Sequence, residues 1–147
     1  MNGAAPEAFA AYIEAFNRAD YAAFGDYYTD DVVLVIGGTR ELRGKQAIFD
    51  FYKDVKAKTR RTIRIVQSFA EGDYLAAELE SEFLALEDLP DFQGGPLAAG
   101  DRMHINTFVI YELEGGRYAR IRSATLHREF NRAPGPASLS QPQETRA

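Results

Sequence analysis

The period of the hydrophobic pattern changes near residue 61, and this change constrains the fold more than any other feature of the chain. Before it, apolar residues recur every three or four positions, which is typical of amphipathic helices. After it, apolar and polar residues alternate, which predicts β-strands with one buried face. The sequence therefore predicts an α+β domain whose helices precede most of its strands.

Two helices are predicted before residue 30. The first covers residues 4–16, where apolar side chains recur at helical spacing and Pro6 stands near the start, a position at which its missing N–H costs nothing. Asp20 is a suitable N-cap for a second, short helix, whose apolar stripe ends at Tyr28.

A strand and a third helix follow. Residues 32–36 form an uninterrupted apolar run that ends at Gly37-Gly38, which is typical of a strand buried on both faces. After Gly44, a helical apolar stripe is formed by Ile48, Phe51, Tyr52 and Val55. Six basic residues lie between positions 53 and 64, around the end of this helix, and we expect them to face solvent.

Three strands with alternating polarity come next, at residues 61–69, 74–86 and 103–113, and Glu71-Gly72-Asp73 forms a hairpin turn between the first two. The faces predicted to point inward contain Ile63, Ile65, Gln67, Leu75, Ala77, Leu79, Ser81, Phe83, Ala85, Met103, Ile105, Thr107, Val109, Tyr111 and Leu113. The outer face of the third strand carries Phe108 and Ile110, and it is too apolar to be left in water.

The last strand follows Gly115-Gly116. Its alternation places Ala119, Ile121, Ser123, Thr125 and His127 inward. It places Tyr118, Arg120 and Arg122 outward, where arginines can pair with glutamates of the neighbouring strands.

Two segments show no periodicity. Residues 87–101 contain three glycines and two prolines and are long for a hairpin connection, so they form either a lid or, as we favour, an exposed disordered loop. Residues 131–147 are rich in proline and small polar residues and are expected to be a disordered tail. The chain therefore divides into a single domain, residues 1–130, and this tail.

Composition excludes several classes of protein. The 147 residues suffice for one domain, and the absence of cysteine excludes a disulfide scaffold and a cysteine nucleophile. A net charge of -5 argues against a nucleic-acid partner, and the lack of a long apolar run argues against a membrane partner and predicts a cytoplasmic location. Neither histidine has a carboxylate at ligand spacing, so no metal site is predicted. No glycine pattern for phosphate binding appears either, and no organic cofactor is predicted.

Several stretches resemble the nuclear transport factor 2-like superfamily, namely residues 11–16, Asp20, residues 28–33, residues 43–52 and residues 116–122. The resemblance covers residues 5–130. It implies a cone-shaped α+β barrel in which N-terminal helices pack into a curved, mostly antiparallel sheet around an apolar pocket. It also implies a homodimer through the outer face of the sheet, which accounts for Phe108 and Ile110.

Members of this superfamily include ketosteroid isomerases, SnoaL-like polyketide cyclases, limonene epoxide hydrolases and proteins without catalysis. The oxyanion-hole tyrosine of the isomerases matches Tyr12. Their proton-shuttling aspartate falls on Val35 or Ile36, and their second oxyanion donor falls near Thr107 or Phe108. Because these side chains cannot shuttle a proton, the resemblance argues against steroid isomerisation by that mechanism.

Residues 116–130 are most similar to the end of limonene epoxide hydrolase. The catalytic aspartate of that family, which SnoaL-like cyclases have at the same position, falls on Ser123. The arginine and the second aspartate of the hydrolase fall on Ser81 and Phe83. The resemblance therefore implies that the carboxylates used to activate water or to close a polyketide ring are missing here.

Tyr12, Ser123 and His127 are the candidate catalytic residues. A tyrosine hydroxyl can donate to a carbonyl or enol oxygen, and His127 can act as a base if its side chain points inward. The candidate ligand-binding residues are Phe16, Tyr28, Ser81, Phe83, Thr107 and Thr125.

Two functions remain open. The first is an isomerase, cyclase or lyase that acts on a small, mostly apolar molecule of steroid-, terpenoid- or polyketide-like type. The second is a non-catalytic domain for ligand binding or dimerisation, which the missing carboxylates favour.

Overall fold

The computed structural model describes residues 1–37 and 39–134, which form three helices and one six-stranded mixed sheet. The helices are α1 (Pro6–Asn17), α2 (Tyr21–Gly25) and α3 (Lys45–Lys58), and the strands are β1 (Tyr28–Ile36), β2 (Arg40–Arg43), β3 (Thr59–Glu71), β4 (Tyr74–Ala85), β5 (Arg102–Glu114) and β6 (Arg117–Asn131). The strand order is β2-β1-β6-β5-β4-β3, in which β1 and β6 are parallel and every other neighbouring pair is antiparallel.

Helices α1 and α3 form where the sequence predicts them. Pro6 stands in the first turn of α1, and the apolar stripe of this helix is buried at Phe9, Tyr12, Ile13 and Phe16. In α3, Ile48 and Val55 are buried, while Phe51 and Tyr52 are half-buried. Both helices thus pack their apolar stripes against one face of the sheet, here called the inner face.

Helix α2 is shorter than predicted. The Asp20 side chain accepts a hydrogen bond from the Ala23 N–H at 3.0 Å, which confirms the predicted cap. The helix ends at Gly25, and Tyr28 begins β1 instead of completing the helical stripe, because the chain pairs there with Tyr118 of β6. Tyr28 is nevertheless fully buried, at 2% exposure.

The β3–β4 hairpin has the predicted turn, and β4 has the predicted inner face, but the prediction that Gln67 points inward is wrong, because a bulge at Val66 places Gln67 opposite Glu78 on the outer face. Gly72 adopts a φ of 58°, a left-handed conformation that suits glycine. The inner face of β4 is buried along its whole length at Leu75, Ala77, Leu79, Ser81, Phe83 and Ala85. The opposite, outer face of the sheet carries charged pairs such as Arg64 with Glu80.

A β-bulge at Ala119 overturns the predicted orientation of Tyr118. Leu113 pairs with Tyr118, but the next residue of β5, Glu112, pairs with Arg120, so Ala119 is an extra residue in β6. Such a residue reverses the phase of the alternation. Tyr118 therefore points inward with Leu113 and is completely buried, whereas Arg120 points outward as predicted.

The segment 87–101 is not the disordered loop that the sequence predicts. Leu89 and Leu97 form an isolated β-bridge, and both are buried together with Met103 and Val55. The ring of Phe92 packs against this second hydrophobic cluster. Burial of these apolar side chains orders a segment that lacks any periodic pattern.

Asp101 joins this segment to the end of β6. Its carboxylate is buried and accepts hydrogen bonds from the N–H groups of Ala98 and Ala133, at 2.9 and 2.7 Å, and from Arg132 at 2.9 Å. These contacts lie just past the domain boundary drawn at residue 130. The disorder predicted for the tail from residue 135 onward falls outside the described residues. Among the described helices, none is long and apolar enough to span a membrane.

Candidate functional site

A cavity of about 380 Å³ lies between the helices and the inner face of the sheet. Its aromatic walls are formed by Tyr12, Phe16, Tyr28, Phe51, Tyr52, Phe83, Phe92 and Tyr111. Seven of the predicted site residues line it, namely Tyr12, Phe16, Tyr28, Phe83, Thr107, Ser123 and Thr125. The structure thus brings most of the predicted site together around one space.

Two tyrosines from different elements meet in this cavity. The hydroxyl oxygens of Tyr12, on α1, and Tyr28, on β1, are 2.8 Å apart. The ring of Tyr12 packs edge-on against that of Tyr118 at 4.9 Å and that of Tyr111 at 6.3 Å. This aromatic packing fixes the orientation of the Tyr12 hydroxyl.

Burial keeps both hydroxyls of this pair protonated. It raises the pKa of Tyr12 well above its ordinary value, and the neighbouring Tyr28 and Tyr111 raise it further. Burial likewise raises the pKa of Tyr28. Since each hydroxyl has a single hydrogen, one tyrosine donates to the other and the second keeps a hydrogen for a further acceptor. The pair can therefore donate one hydrogen bond to a ligand oxygen.

Arg61 extends from β3 into the same cavity. Its guanidinium lies over the rings of Phe83, Phe16 and Tyr52, at 4.6, 5.4 and 5.8 Å from their centroids. Nη2 makes a long contact of 3.4 Å with the Ser81 hydroxyl, and the buried Nε has no hydrogen-bond partner among the described residues.

The solvent-facing orientation expected for the basic residues at positions 53–64 is wrong for Arg61. In β3, Arg61 pairs with Phe83 and Ile63 pairs with Ser81, and these partners belong to the buried face of β4. Because residues directly opposite each other share a face, Arg61 lies on the inner face. Arg64, three positions later, lies on the outer face.

Burial shifts the pKa values of Arg61 and Tyr52, which lie together in this part of the cavity, in opposite directions. It lowers the pKa of Arg61, an effect that the nearby Tyr52 partly offsets. It raises the pKa of Tyr52, and Arg61 partly offsets that rise. Arginine nevertheless stays protonated in proteins, so Arg61 brings a positive charge into an aromatic cavity.

Ser81 and His127 do not line the cavity. Ser81 is buried behind Arg61, which it contacts through its hydroxyl. His127 lies on the outer face, because a second bulge in β6, at Leu126, places Thr125 opposite Thr107 but His127 opposite Asn106. The prediction that His127 points inward is therefore wrong, and its imidazole cannot serve as a base in this cavity.

Several residues of the site are not among those predicted from the sequence, chiefly Arg61, Tyr52 and Arg128. Arg61 had a signal in the sequence, since it alternates in phase with Ile63 and Ile65. Arg128 reaches the cavity because the Leu126 bulge places it opposite Ile105, and no sequence pattern marks that bulge. The charged residues in the described cavity wall are Arg40, Arg61 and Arg128, without Asp, Glu, His or Lys.

This arrangement can donate hydrogen bonds and attract negative charge. The tyrosine pair and the arginines are donors, and none of the described side chains in the wall is a carboxylate or imidazole that accepts a proton near neutral pH. Over residues 1–37 and 39–134, His, Asp and Glu do not gather in a group of three or more that would hold a metal ion.

The structure has three helices packed on the inner face of a curved mixed sheet, with a cavity between them. This architecture is the α+β cone of the nuclear transport factor 2-like superfamily. Within that superfamily, the model of the SnoaL-like domain matches residues 9–121. The chain therefore belongs to the SnoaL-like domain family. A search of curated protein sequences finds no match.

Solved structures of similar fold include two proteins proposed to be polyketide cyclases. The one from Xanthomonas campestris is 24% identical, with a TM-score of 0.68, over 79% of this chain and 85% of its own. The one from Pseudomonas putida is 26% identical, with a TM-score of 0.68, over 84% of this chain and 90% of its own. An LEH-like epoxide hydrolase from M. tuberculosis is 18% identical, with a TM-score of 0.64, over 81% of this chain and 80% of its own.

Proposed function

We propose that this SnoaL-like protein binds a small, mostly apolar ring compound in its cavity, and that an oxygen of this compound accepts a hydrogen bond from the Tyr12–Tyr28 pair. The observation that carries the proposal is the 2.8 Å contact between the two hydroxyls inside an aromatic cavity. A volume of about 380 Å³ is at the small end of ligand pockets in proteins. It suits a molecule of a few rings of steroid-, terpenoid- or polyketide-like type.

Matched ligands test this binding mode. We expect 1-tetralone, a ring ketone, to bind more tightly than tetralin, the same ring system without oxygen, because only the ketone accepts a hydrogen bond. Tyr12→Phe should weaken 1-tetralone binding about fivefold to tenfold, as expected for one hydrogen bond, and leave tetralin unchanged. Titration calorimetry measures both affinities.

Tyr27→Phe is the matched control. The ring of Tyr27 lies 5.6 Å from that of Tyr12 but does not line the cavity. The variant should bind both compounds like the wild type. Equal affinity of the wild type for ketone and hydrocarbon would contradict the proposal, as would the absence of binding by either.

Catalysis of the isomerase, cyclase or lyase type is the second candidate function. The donor pair favours it, because a hydroxyl aimed at a carbonyl oxygen stabilises the negative charge of an enolate. The likeness to the Pseudomonas putida protein, proposed to be a polyketide cyclase, is consistent with it. Ser123 and Phe83 cannot replace the carboxylates that the family resemblance implies at their positions, so the pair would act without a side-chain base.

Exchange of the α-protons of 1-tetralone in D2O, followed by NMR, separates the two candidates. Exchange faster than in buffer, and slowed by Tyr12→Phe but not by Tyr27→Phe, would establish catalysis of enolisation. Exchange at the buffer rate in the presence of bound 1-tetralone would leave ligand binding as the function.

A second copy of this chain is the partner we propose for the outer face of the sheet. Phe69, Phe108 and Leu126 are exposed there, at 66%, 49% and 62%, on three different strands. Glutamates and arginines surround them, and a face with both charges can complement itself across a two-fold axis. Sedimentation should detect a dimer that Phe108→Glu converts to a monomer. We place this dimer in the cytoplasm, as the sequence predicts.

A further inference from the structure

We propose that the ligand of this cavity is an organic anion, and that Arg61 binds its carboxylate. The inference rests on the proposed function, because it names the chemical class of molecule that the same cavity binds. It makes Arg61 a ligand-binding residue, in addition to the Tyr12–Tyr28 pair that receives a neutral oxygen of the ligand.

The first support is that none of the described residues supplies Arg61 with an opposite charge. On the outer face, Arg64 pairs with Glu80, and Arg102 pairs with Glu82 at 2.8 Å. Arg61 forms no ion pair with any of the described residues. An enclosed charge without a partner is unfavourable, so a ligand that carries the opposite charge gains by binding beside it.

The second support comes from the directions in which the guanidinium can donate. Phe16, Tyr52 and Phe83 stabilise the charge through their ring faces, but a ring face does not replace a hydrogen-bond acceptor in the guanidinium plane. Within the described chain, the guanidinium approaches the Ser81 hydroxyl at 3.4 Å and lies beside the Tyr52 hydroxyl, and these two groups do not occupy all of its five N–H donors. Since the side chain is half-buried and lines the cavity, its remaining terminal N–H groups are open to a ligand.

The third support is the sign of the charge in the cavity wall. Arg40 and Arg128 line the cavity together with Arg61, and the described wall contains no carboxylate. The whole chain has a net charge of -5, so this cluster of positive charge is opposite in sign to the protein as a whole. Such a cluster attracts anions and repels cations.

Together, these three observations indicate the chemical class of the ligand. Its ring system contacts the aromatic walls, and its carboxylate meets the planar fork of Arg61, which matches a carboxylate in two parallel hydrogen bonds. A second, neutral oxygen reaches the hydroxyls of Tyr12 and Tyr28. The expected class is therefore a small ring compound that carries both a carboxylate and a carbonyl or hydroxyl group.

Two ligands of similar shape, one anionic and one neutral, test whether the cavity prefers a negative charge. We expect 2-naphthoate to bind the wild-type protein at least about tenfold more tightly than 2-naphthamide, which is neutral, in low-salt buffer. Arg61→Gln should reduce that ratio to about threefold or less while the amide keeps its affinity. Arg64→Gln removes an arginine from the same strand but from the outer face, and it should leave both affinities unchanged.

The possible outcomes separate this inference from the proposed function. If naphthoate and naphthamide bind equally well, the cavity binds ring compounds but Arg61 does not select anions, and the inference is overturned while the proposed function stands. If neither naphthalene compound nor 1-tetralone binds, the proposed function fails and the inference fails with it. If naphthoate is preferred but Arg61→Gln leaves the ratio unchanged, another group selects the anion and the assignment of Arg61 is wrong.

Two further measurements keep the test valid if Arg61→Gln does not fold. Arg61→Lys retains the positive charge without the planar fork, and it should keep a preference for naphthoate that is smaller than in the wild type. In the wild-type protein, NMR of arginine side chains should show a shift of the Arg61 resonance on addition of naphthoate and not on addition of naphthamide. An unmoved Arg61 resonance in the presence of bound naphthoate would overturn the assignment.

Discussion

Arginines on the two faces of this sheet have different surroundings. On the outer face, Arg64 pairs with Glu80, and Arg120 and Arg122 both lie near Glu112, at 3.8 and 3.7 Å. On the inner face, Arg61 lies among aromatic rings, and the described cavity wall around it contains no carboxylate. The outer pairs balance charge in water, where each is worth little, whereas the inner charge acts in a less polar space and is available to a ligand.

Truncation of a buried inner-face side chain should have the largest effect on stability. Leu75 is 1% exposed in the centre of the core. Leu75→Ala removes buried methyl groups and leaves a cavity, and we expect it to lower the free energy of unfolding by about 2–5 kcal/mol. Urea denaturation followed by circular dichroism measures this change.

The neighbouring residue on β4 is the control for this substitution. Tyr74 is 55% exposed on the outer face, and Tyr74→Ala should change the free energy of unfolding by no more than about 0.5 kcal/mol. Comparable losses in the two variants would mean that Tyr74 is buried in solution, so that the proposed dimer extends over this part of the outer face.

The sequence predicts the fold well because its periodicity is regular over long stretches. The alternation of β4 and the stripes of α1 and α3 each follow one period along the element, so the buried face can be determined from spacing alone. The predicted faces fail in β3 and β6, where the extra residues at Val66, Ala119 and Leu126 shift the phase. A bulge depends on how the strand fits its neighbour, and a single strand carries no sign of it.

The candidate site was predicted in part for the same reason. The family resemblance identifies Tyr12, Ser123 and Phe83, and the structure places all three in the cavity wall, whereas His127 is misplaced because it follows a bulge. Arg61 was missed for another reason, since its alternation with Ile63 indicated the inner face but a basic residue at a helix end is usually solvated. Its partner rings come from α1, α3 and β4, and only the tertiary fold brings them together.

Loss of a buried ion pair should lower the free energy of unfolding by an intermediate amount, less than truncation in the core and more than loss of an outer-face ion pair. Asp101 is 3% exposed and receives hydrogen bonds from two backbone N–H groups and from Arg132. Asp101→Ala leaves these donors unpaired, and we expect it to lower the free energy of unfolding by about 1–3 kcal/mol at neutral pH. Thermal and urea denaturation measure the loss, and Asp91→Ala, on the exposed part of the same segment, is the control.

The pH dependence of stability gives an independent check on Asp101. Burial alone would raise the pKa of its carboxyl, but the hydrogen bonds from Ala133, Ala98 and Arg132 outweigh burial and hold the pKa below its usual range. A lowered folded-state pKa stabilises the protein above the ordinary value of about 3.9, and this contribution is lost as the pH falls through the folded-state pKa. Urea midpoints should therefore fall less steeply in acid for Asp101→Asn than for the wild type. Parallel acid profiles would refute this contribution.

Loss of one hydroxyl from the Tyr12–Tyr28 pair should lower the free energy of unfolding by less than the loss of Asp101. Tyr12→Phe removes the hydrogen bond to Tyr28 and should lower the free energy of unfolding by about 0.5–1.5 kcal/mol at neutral pH. The raised pKa of Tyr12 and Tyr28, caused by burial, also predicts that stability is complete below the ordinary tyrosine pKa of about 10 and declines as the pH rises above it.

Alkaline titration tests the prediction that stability declines as the pH rises above the ordinary tyrosine pKa. Tyrosinate absorbance and urea midpoints, measured over the same pH series, should show that the buried tyrosines ionise together with unfolding. Tyr12→Phe should have a shallower decline of stability above pH ~10, because one buried hydroxyl no longer opposes ionisation. Ionisation of all tyrosines in a folded protein would show that water reaches the hydroxyls of Tyr12 and Tyr28, contrary to their burial.

Loss of the ion pair between Arg64 and Glu80 should cause the smallest change in the free energy of unfolding. Both side chains are at least half exposed on the outer face, at 67% and 50%, so Glu80→Gln should lower the free energy of unfolding by about 0.2–1 kcal/mol at most. About 1 M NaCl should abolish even this difference by screening. A loss above about 2 kcal/mol would require that the pair is desolvated. If that loss grew with protein concentration, the desolvating surface would be a second copy of the chain, and the outer face would then resemble the inner face in being closed to water.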